Sequence, residues 1–332
     1  MNPLRALLAN LPEPDAAAHA AVAARCADIL RPAGALARLD EIAAWLAGWQ
    51  ATTLPSVTRP AAVIFAGDHG VAVEGVSAYP AEVTAAMLAA FRKGVATISA
   101  FAAGAGASVT AIDVGVGRPT GNIRNEPALS TDRFAECVAA GEQAIDAIDA
   151  DILVVGEMGI GNTTAAAAVC ACIVGGDAAD WVGAGTGVDD EGRARKVAAV
   201  ADAQRRVAGE HDPLELLRHV GGSELVAMAA AIAAARQRRI PVVLDGFVVG
   251  AAALALHAAQ PGALDHCIAG HVSAEPGHRR LLAHLAMSPL LDLGMRLGEG
   301  SGAMLAVPLI AQAARGVTEV ATFTEWFGAP PV

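Results

Sequence analysis

Aromatic side chains are scarce in this 332-residue chain, with 7 Phe, 4 Trp and 1 Tyr. Alanine, valine, leucine and glycine must therefore build the core, and the lone Tyr79 needs a reason for its place. Positive charge is also in deficit: 23 Lys plus Arg stand against 34 Asp plus Glu, a formal charge of −11. That balance excludes a protein whose affinity comes from coating nucleic-acid phosphates. At 54% hydrophobic and 17% charged residues, wholesale disorder is excluded as well. Long apolar runs are missing, since Val226–Ala235 and Phe247–Ala259 fall short of the ~18 to 20 residues that span a bilayer. No membrane association is expected. The first fifteen residues hold Pro3, Pro12 and Pro14 and lack a basic segment followed by an apolar stretch, so no secretory signal is expected. The five cysteines, Cys26, Cys137, Cys170, Cys172 and Cys267, are odd in number and form no CxxC pair. They read as inert thiols of a reduced cytoplasm.

What is present has a clear texture. Ala16 to Leu30 and Leu36 to Trp49 carry apolar residues at three- and four-residue spacing, separated by Pro32 and Gly34, and predict a helical cap over residues 1–60. From Ala61 onward, short β-branched runs alternate with Ala-rich helical patterns: Ala61 to Ala66, Ser108 to Val116, Asp151 to Val155, Pro241 to Leu244 and His266 to Ala269. Continuous apolar strands between helices predict a doubly wound, mostly parallel α/β domain, a Rossmann-like three-layer arrangement over residues 61–304. In such sheets ligands bind beyond the carboxyl ends of the strands. Those positions hold Gly67-Asp68-His69-Gly70, Asp113-Val114-Gly115, Gly156-Glu157-Met158-Gly159, Asp245-Gly246-Phe247 and Gly270-His271.

Three glycine-rich segments carry the chemistry. After the third strand, Gly156 to Ala168 reads GEMGIGNTTAAAA, with Gly159 and Gly161 in a turn and Asn162, Thr163 or Thr164 placed to cap an Ala-rich helix. Backbone N–H groups at such a start favour an anion, although an ordinary capped turn has the same pattern. The GxxxxGK[ST] and GxGxxG spacings are both absent. Val182 to Lys196 contains Gly183, Gly185 and Gly187, then Asp189, Asp190 and Glu191 suited to a first helical turn; Lys196 could meet a phosphate or merely balance helix charge. In Arg296-Leu-Gly-Glu-Gly-Ser-Gly-Ala303, glycines flank Glu299, and an apolar helix is expected over Met304 to Ala314. A partly desolvated Glu299 would suit a general base, while a dipole-stabilised surface glutamate is the plain alternative. Glu157 lies in a similar Gly-Glu-x-Gly context, so two carboxylates are expected at one rim, at a separation the sequence does not give, a pair that glycosidases also use. Asp68-His69 could bind metal, shuttle protons or lock a glycine turn. His266, His271, His278 and His284 cluster with Asp265 and Glu275, but at no standard zinc spacing, and no metal is expected.

Taken together these segments resemble the nicotinate-nucleotide-dimethylbenzimidazole phosphoribosyltransferase family. Six stretches carry the likeness in order: Ala66 to Thr84, Gly156 to Ala168, Val182 to Lys196, Leu244 to Leu254, Ala269 to Leu282 and Met295 to Ala303. The resemblance implies transfer of 5-phosphoribose from nicotinate mononucleotide to 5,6-dimethylbenzimidazole with inversion, in cobalamin lower-ligand assembly. Glu299 corresponds to the family's base. Glu157, Gly159, Gly161, Asn162, Thr163, Gly185, Gly187, Lys196 and Asp245 fall where substrate is held, and Ser77 and Tyr79 beside the dimethylbenzimidazole pocket. A homodimer, no cofactor, and a small helical domain built from residues 1–60 joined by 305–332 are also implied. One departure is Ala85-Ala86, where the family pattern carries a glutamine. It leaves the acceptor open to another azole or a purine, and a nucleotide-binding regulatory module is the non-enzymatic alternative.

Overall fold

Five parallel strands form the centre of the computed structural model, which describes residues 2–185, 187–328 and 330. They are β1 (Pro60–Gly67), β2 (Ser108–Gly115), β3 (Ile152–Met158), β4 (Val242–Leu244) and β5 (Cys267–Ala269), in the order β2-β1-β3-β4-β5. All pairings are parallel, with Phe65 beside Glu157 and Val155 beside Leu244 in the register. The α/β architecture expected from the alternating texture is therefore present.

Alternation along the strands assigns the two faces. Val63, Phe65, Leu153, Val155, Val242 and Leu244 point into the larger core, shared with helices Thr131–Asp146, Asn162–Val174, Ser223–Gln237 and Phe247–Ala259. Ala62, Ile64, Ile152, Val154, Val243 and Ile268 point to the other side, against helices Arg38–Gln50, Thr97–Ala105 and Ser301–Thr318. With few aromatics to fill space, helices close up through small residues. Where Thr131–Asp146 crosses Ser223–Gln237, a side-chain carbon on Gly141 would run into the Ala227 carbonyl and lie 2.8 Å from the Ala230 methyl.

The chain's two terminal regions meet. Val22, Ile29, Ala43, Ala44 and Ala47 enclose Val317, and Ile29 pairs with Thr322 in an isolated bridge. Helix Ser301–Thr318 runs from the sheet to this cluster, so the expected 304/305 boundary falls inside one element.

Three local expectations differ from the structure. β3 continues through Met158, so Glu157 is a strand residue and the turn begins after it. Helix Asn162–Val174 is preceded by Gly161 at φ 98°, a left-handed cap that needs no Cβ, and neither Asn162 nor a threonine caps it. The last long helix begins at Ser301, three residues before Met304, because Gly300 at φ 83° supplies the turn. Among the described residues one stretch, Val83–Ala105, is long and apolar enough to cross a membrane by composition. It is two helices, Val83–Lys93 and Thr97–Ala105, broken at Gly94 (φ 70°) just after Arg92 and Lys93.

Gly141→Ala should destabilise the fold by about 1 to 3 kcal/mol through overpacking, read by urea denaturation. Unchanged stability would show that the two helices separate freely.

Candidate active site

Loops at the carboxyl ends of β3, β4 and β5 border a cleft that is open on one side. Its walls are Glu157 and Met158 at the end of β3 with Gly159, Ile160, Asn162 and Thr163 beyond it; Gly185; Gly246 to Val248 after β4; His271, Ser273 and Glu275 after β5; and Arg296 to Glu299 before the last long helix.

Glu299 sits at φ 65°, a left-handed conformation uncommon for a residue with a Cβ. The loop is forced to this shape from both sides. Gly156 offers no side chain where it packs on the Glu299 backbone, 2.5 Å from a notional Cβ to the Glu299 carbonyl oxygen. From below, Asp245 at the end of β4 accepts the Ala303 N–H at 2.9 Å and the Gly300 N–H at 3.2 Å. Asp245 also lies 3.2 Å from His271 Nε2, a close ionic contact off hydrogen-bond alignment. Burial pushes the Asp245 carboxyl up, but the adjacent His271 ring and the two backbone N–H groups outweigh it, and the group is held below its usual value.

The two cleft carboxyls are shifted the other way. Burial pushes Glu299 up to about 7, reinforced by the charge of Asp245 and opposed by a backbone hydrogen bond at Ile98; its Oε2 is buried without a partner. Burial, with the charges of Asp245 and Glu224, pushes Glu157 up to about 8, against a hydrogen bond from Asn162 Nδ2. Glu157 rests against Gly298, where a side chain would collide with its Oε1. Near neutral pH the cleft thus presents a carboxyl poised to take a proton beside one that keeps its own.

On the β3 side, the turn at Gly159 opens into the N-terminus of helix Asn162–Val174, and Ile160 N–H donates to Thr84 Oγ1 at 3.2 Å. Lys196 is buried behind this wall, donating from Nζ to Thr163 Oγ1 and to the Gly183 carbonyl, both at 3.0 Å. Burial lowers its ammonium to about 8, countered by the charge of Glu275. Glu275 accepts the Gly185 N–H at 2.8 Å, and Arg296 donates to the Gly185 carbonyl at 3.1 Å.

The structure therefore brings Glu157, Gly159, Asn162, Thr163, Gly185 and Glu299 to one cleft, with Gly161, Lys196 and Asp245 standing behind its walls. Gly187 (φ 110°) caps the next turn and does not line it, and Thr186 lies outside the described residues. Ser77 and Tyr79 also lie away from the lining; Ser77 Oγ accepts the Tyr79 N–H, and the Tyr79 side chain is 54% exposed. Asp68 locks a turn by accepting the Gly117 N–H at 2.7 Å, one of the roles its sequence context allows.

The histidine group separates. His271 lines the cleft, while His278 takes the Ser273 N–H on Nδ1 at 2.8 Å and is lowered to about 3 by burial. His266 lies under Trp49 against the Ile232 carbonyl, also lowered to about 3 by burial. Among the described residues no group of three or more His, Cys, Asp or Glu is arranged to hold a metal ion. From the sequence, Arg296 and Glu224 had no role, and Glu275 figured only beside the histidines as part of a group at no standard zinc spacing. Arg296 and Glu275 lie inside quoted glycine-rich and histidine-rich stretches, so proximity to those motifs was the available signal; Glu224 opens an Ala-rich helix with no such marker.

A family model described as Phosphoribosyltransferase matches residues 11–326. The chain belongs to this phosphoribosyltransferase family. Among family relatives, a nicotinate-nucleotide–dimethylbenzimidazole phosphoribosyltransferase of Methylocella silvestris is 50% identical over 329 residues, covering 98% of this chain and 95% of that one. One from Cereibacter sphaeroides is 49% identical over 322 residues, covering 97% and 95%. The crystal structure of CobT from Thermus thermophilus superposes with a TM-score of 0.90 at 43% identity, over 94% of this chain and 98% of that one.

Glu157 titrates higher in the folded phosphoribosyltransferase than an unfolded glutamate does. The folded state therefore holds an extra proton between about pH 5 and pH 8, and this group's contribution weakens stability as pH rises through that window. Glu157→Gln should gain stability relative to the parent on going from about pH 5 to about pH 8, measured by urea denaturation at both. Parallel pH profiles would place Glu157 at an ordinary pKa.

Proposed function

We propose that this protein moves the 5-phosphoribosyl group of nicotinate mononucleotide onto 5,6-dimethylbenzimidazole, giving α-ribazole 5′-phosphate and nicotinate. The observation that carries the reading is the meeting, in one cleft, of Glu299, half ionised near neutrality, with a glycine turn at a helix N-terminus. The family membership and the names of the relatives support the same substrates.

The substrate phosphate is held at the Gly159–Thr163 turn, where the helix end favours negative charge, with Lys196 behind Thr163 adding a buried ammonium. Glu157, protonated at neutral pH, donates to the sugar. The bond from C1′ to the pyridinium nitrogen breaks, and its electron pair neutralises the ring as nicotinate leaves. The imine nitrogen of dimethylbenzimidazole attacks C1′ from the opposite face, so a β-nucleotide becomes an α-nucleotide. The proton on its other ring nitrogen passes to Glu299 and then to water. Because Glu299 is fixed on a strained loop gripped by Asp245, the acceptor meets a base already in position.

Ser77 and Tyr79 are proposed to border the acceptor. Their loop leads into helix Val83–Lys93, which the Thr84 to Ile160 hydrogen bond ties to the turn. A homodimer working in the cytoplasm completes the reading. Its support is the apolar helix pair Val83–Lys93 and Thr97–Ala105, which is mostly unburied in a single copy and has Val95 73% exposed between its two parts. An alternative acceptor, another azole or a purine, is favoured by one feature: Ala85 and Ala86 place exposed methyl groups where the family pattern has glutamine.

Glu299→Ala should lower kcat by roughly 10²- to 10⁴-fold in a nicotinate-release assay with dimethylbenzimidazole present. In the parent protein kcat/KM should rise with pH through about 7 as Glu299 ionises. Near-normal turnover by the variant removes Glu299 as base; a regulatory nucleotide-binding module is favoured instead if the parent binds the nucleotide without turnover and Glu299→Ala binds it equally well. Release of nicotinate to water alone, with no benzimidazole nucleotide formed, refutes the transferase reading. Light scattering tests the dimer, and Val95→Glu should shift the protein toward monomer.

A further inference from the structure

The sheet order β2-β1-β3-β4-β5 reverses direction between β1 and β3, and in sheets of this order the crevice beyond those two carboxyl ends is the usual ligand position. Here the cleft lies one step away, past β3, β4 and β5. The β1/β3 crevice is filled from within. His69, just after β1, brings Nε2 to 2.5 Å from Glu224 Oε1, and both side chains are fully buried. Glu224 belongs to the first turn of helix Ser223–Gln237, where the helix dipole favours its carboxylate.

Glycines wrap this pair on every side. A side-chain carbon on Gly159 would lie 3.2 Å from both Glu224 Oε1 and His69 Cδ2, and one on Gly67 would lie 3.3 Å from Glu224 Oε2. A side-chain carbon on Gly161 would lie 3.4 Å from the His69 Cβ, and one on Gly222 would collide with the imidazole. Two of these, Gly159 and Gly161, belong to the turn that opens helix Asn162–Val174 into the cleft. His69 Nδ1 and Glu224 Oε2 are buried without hydrogen-bond partners. Orphaned polar atoms cost stability, and an apolar pair of similar volume would fill the space without them. Stability alone does not account for an ionisable pair at this point.

We propose that the buried His69–Glu224 pair is a positioning element for nucleotide binding: it plugs the β1/β3 crevice and fixes the Gly159–Gly161 turn that holds the phosphoribosyl group. This rests on the substrate reading above. Neither residue reaches the cleft lining, so both act through the turn and neither touches the reacting atoms. The pair governs affinity for the nucleotide, and the acceptor and the chemical step are set elsewhere, by the loop that carries Glu299.

The test measures Kd for nicotinate mononucleotide by calorimetry together with kcat and both KM values. His69→Ala should weaken nucleotide binding about tenfold, a change of about 1.4 kcal/mol, with kcat and the acceptor KM within about threefold of the parent. His69→Gln, whose amide N–H can reach Glu224, should recover most of that affinity. An unchanged Kd in folded His69→Ala overturns the proposal, as does a uniform loss in kcat and both KM values, or a His69→Gln variant no better than alanine. If His69→Ala does not fold, Glu224→Gln carries the test, since it keeps the shape and removes the charge; it should weaken the nucleotide Kd at least threefold, and an unchanged Kd overturns the proposal. A parent protein that binds the nucleotide without transferring it refutes the reaction while the Kd comparison still decides the pair. A parent that does not bind it refutes both.

Discussion

Asp245 is the interaction on which the rest of the site depends. One carboxylate at the end of a three-residue strand takes the backbone N–H groups of Gly300 and Ala303 and sits against His271. In doing so it supplies the cap that helix Ser301–Thr318 lacks from its own sequence, since no local side chain bonds to its N-terminus. It also holds the preceding residue, Glu299, in a backbone conformation that a glutamate rarely adopts. A cap drawn from a distant strand couples the position of the base to the sheet itself. The sheet is rigid, and so the base is placed before any substrate arrives.

The same carboxylate has an electrostatic effect on its neighbours. Its own pKa is held down by His271 and the two backbone donors, so it stays ionised and its charge raises both Glu157 and Glu299. Three buried acids would be intolerable if all were charged. The structure divides them, with one anion satisfied by donors and two neighbours kept protonated or near balance. Lys196 is the counterpart behind the β3-side wall, a buried ammonium lowered toward neutrality and held by oxygen acceptors.

Much of this was legible in the sequence because two signals are strong there. Apolar β-branched runs marked all five strands to within a few residues, and glycines flanking acidic residues marked the rim. Glu299 could be picked out because Gly298 and Gly300 leave it no neighbouring bulk. Other parts depended on contacts between residues far apart in the chain. Asn162 looked like a cap but bonds to Glu157, because Gly161 already turns the chain. Asp245 could be seen at a strand end, yet its hold on residues 55 and 58 positions away could not. Glu224 gave no signal at all, since an acidic residue opening a helix is the commonest reason for a glutamate to be there.

The scarcity of aromatics returns as a matter of optics. Trp49 and Trp181 are fully buried, Trp49 beneath Arg236 and Trp181 against Arg280, while Trp45 is half-buried on helix Arg38–Gln50 and Trp326 sits exposed on the terminal helix Phe323–Phe327. No tryptophan is among the residues lining the cleft. Intrinsic fluorescence of this protein therefore reports chiefly on its core and its terminal cluster, and none of these indoles is in direct contact with the cleft. Occupancy is followed more directly through the ligand's own absorbance or through heat.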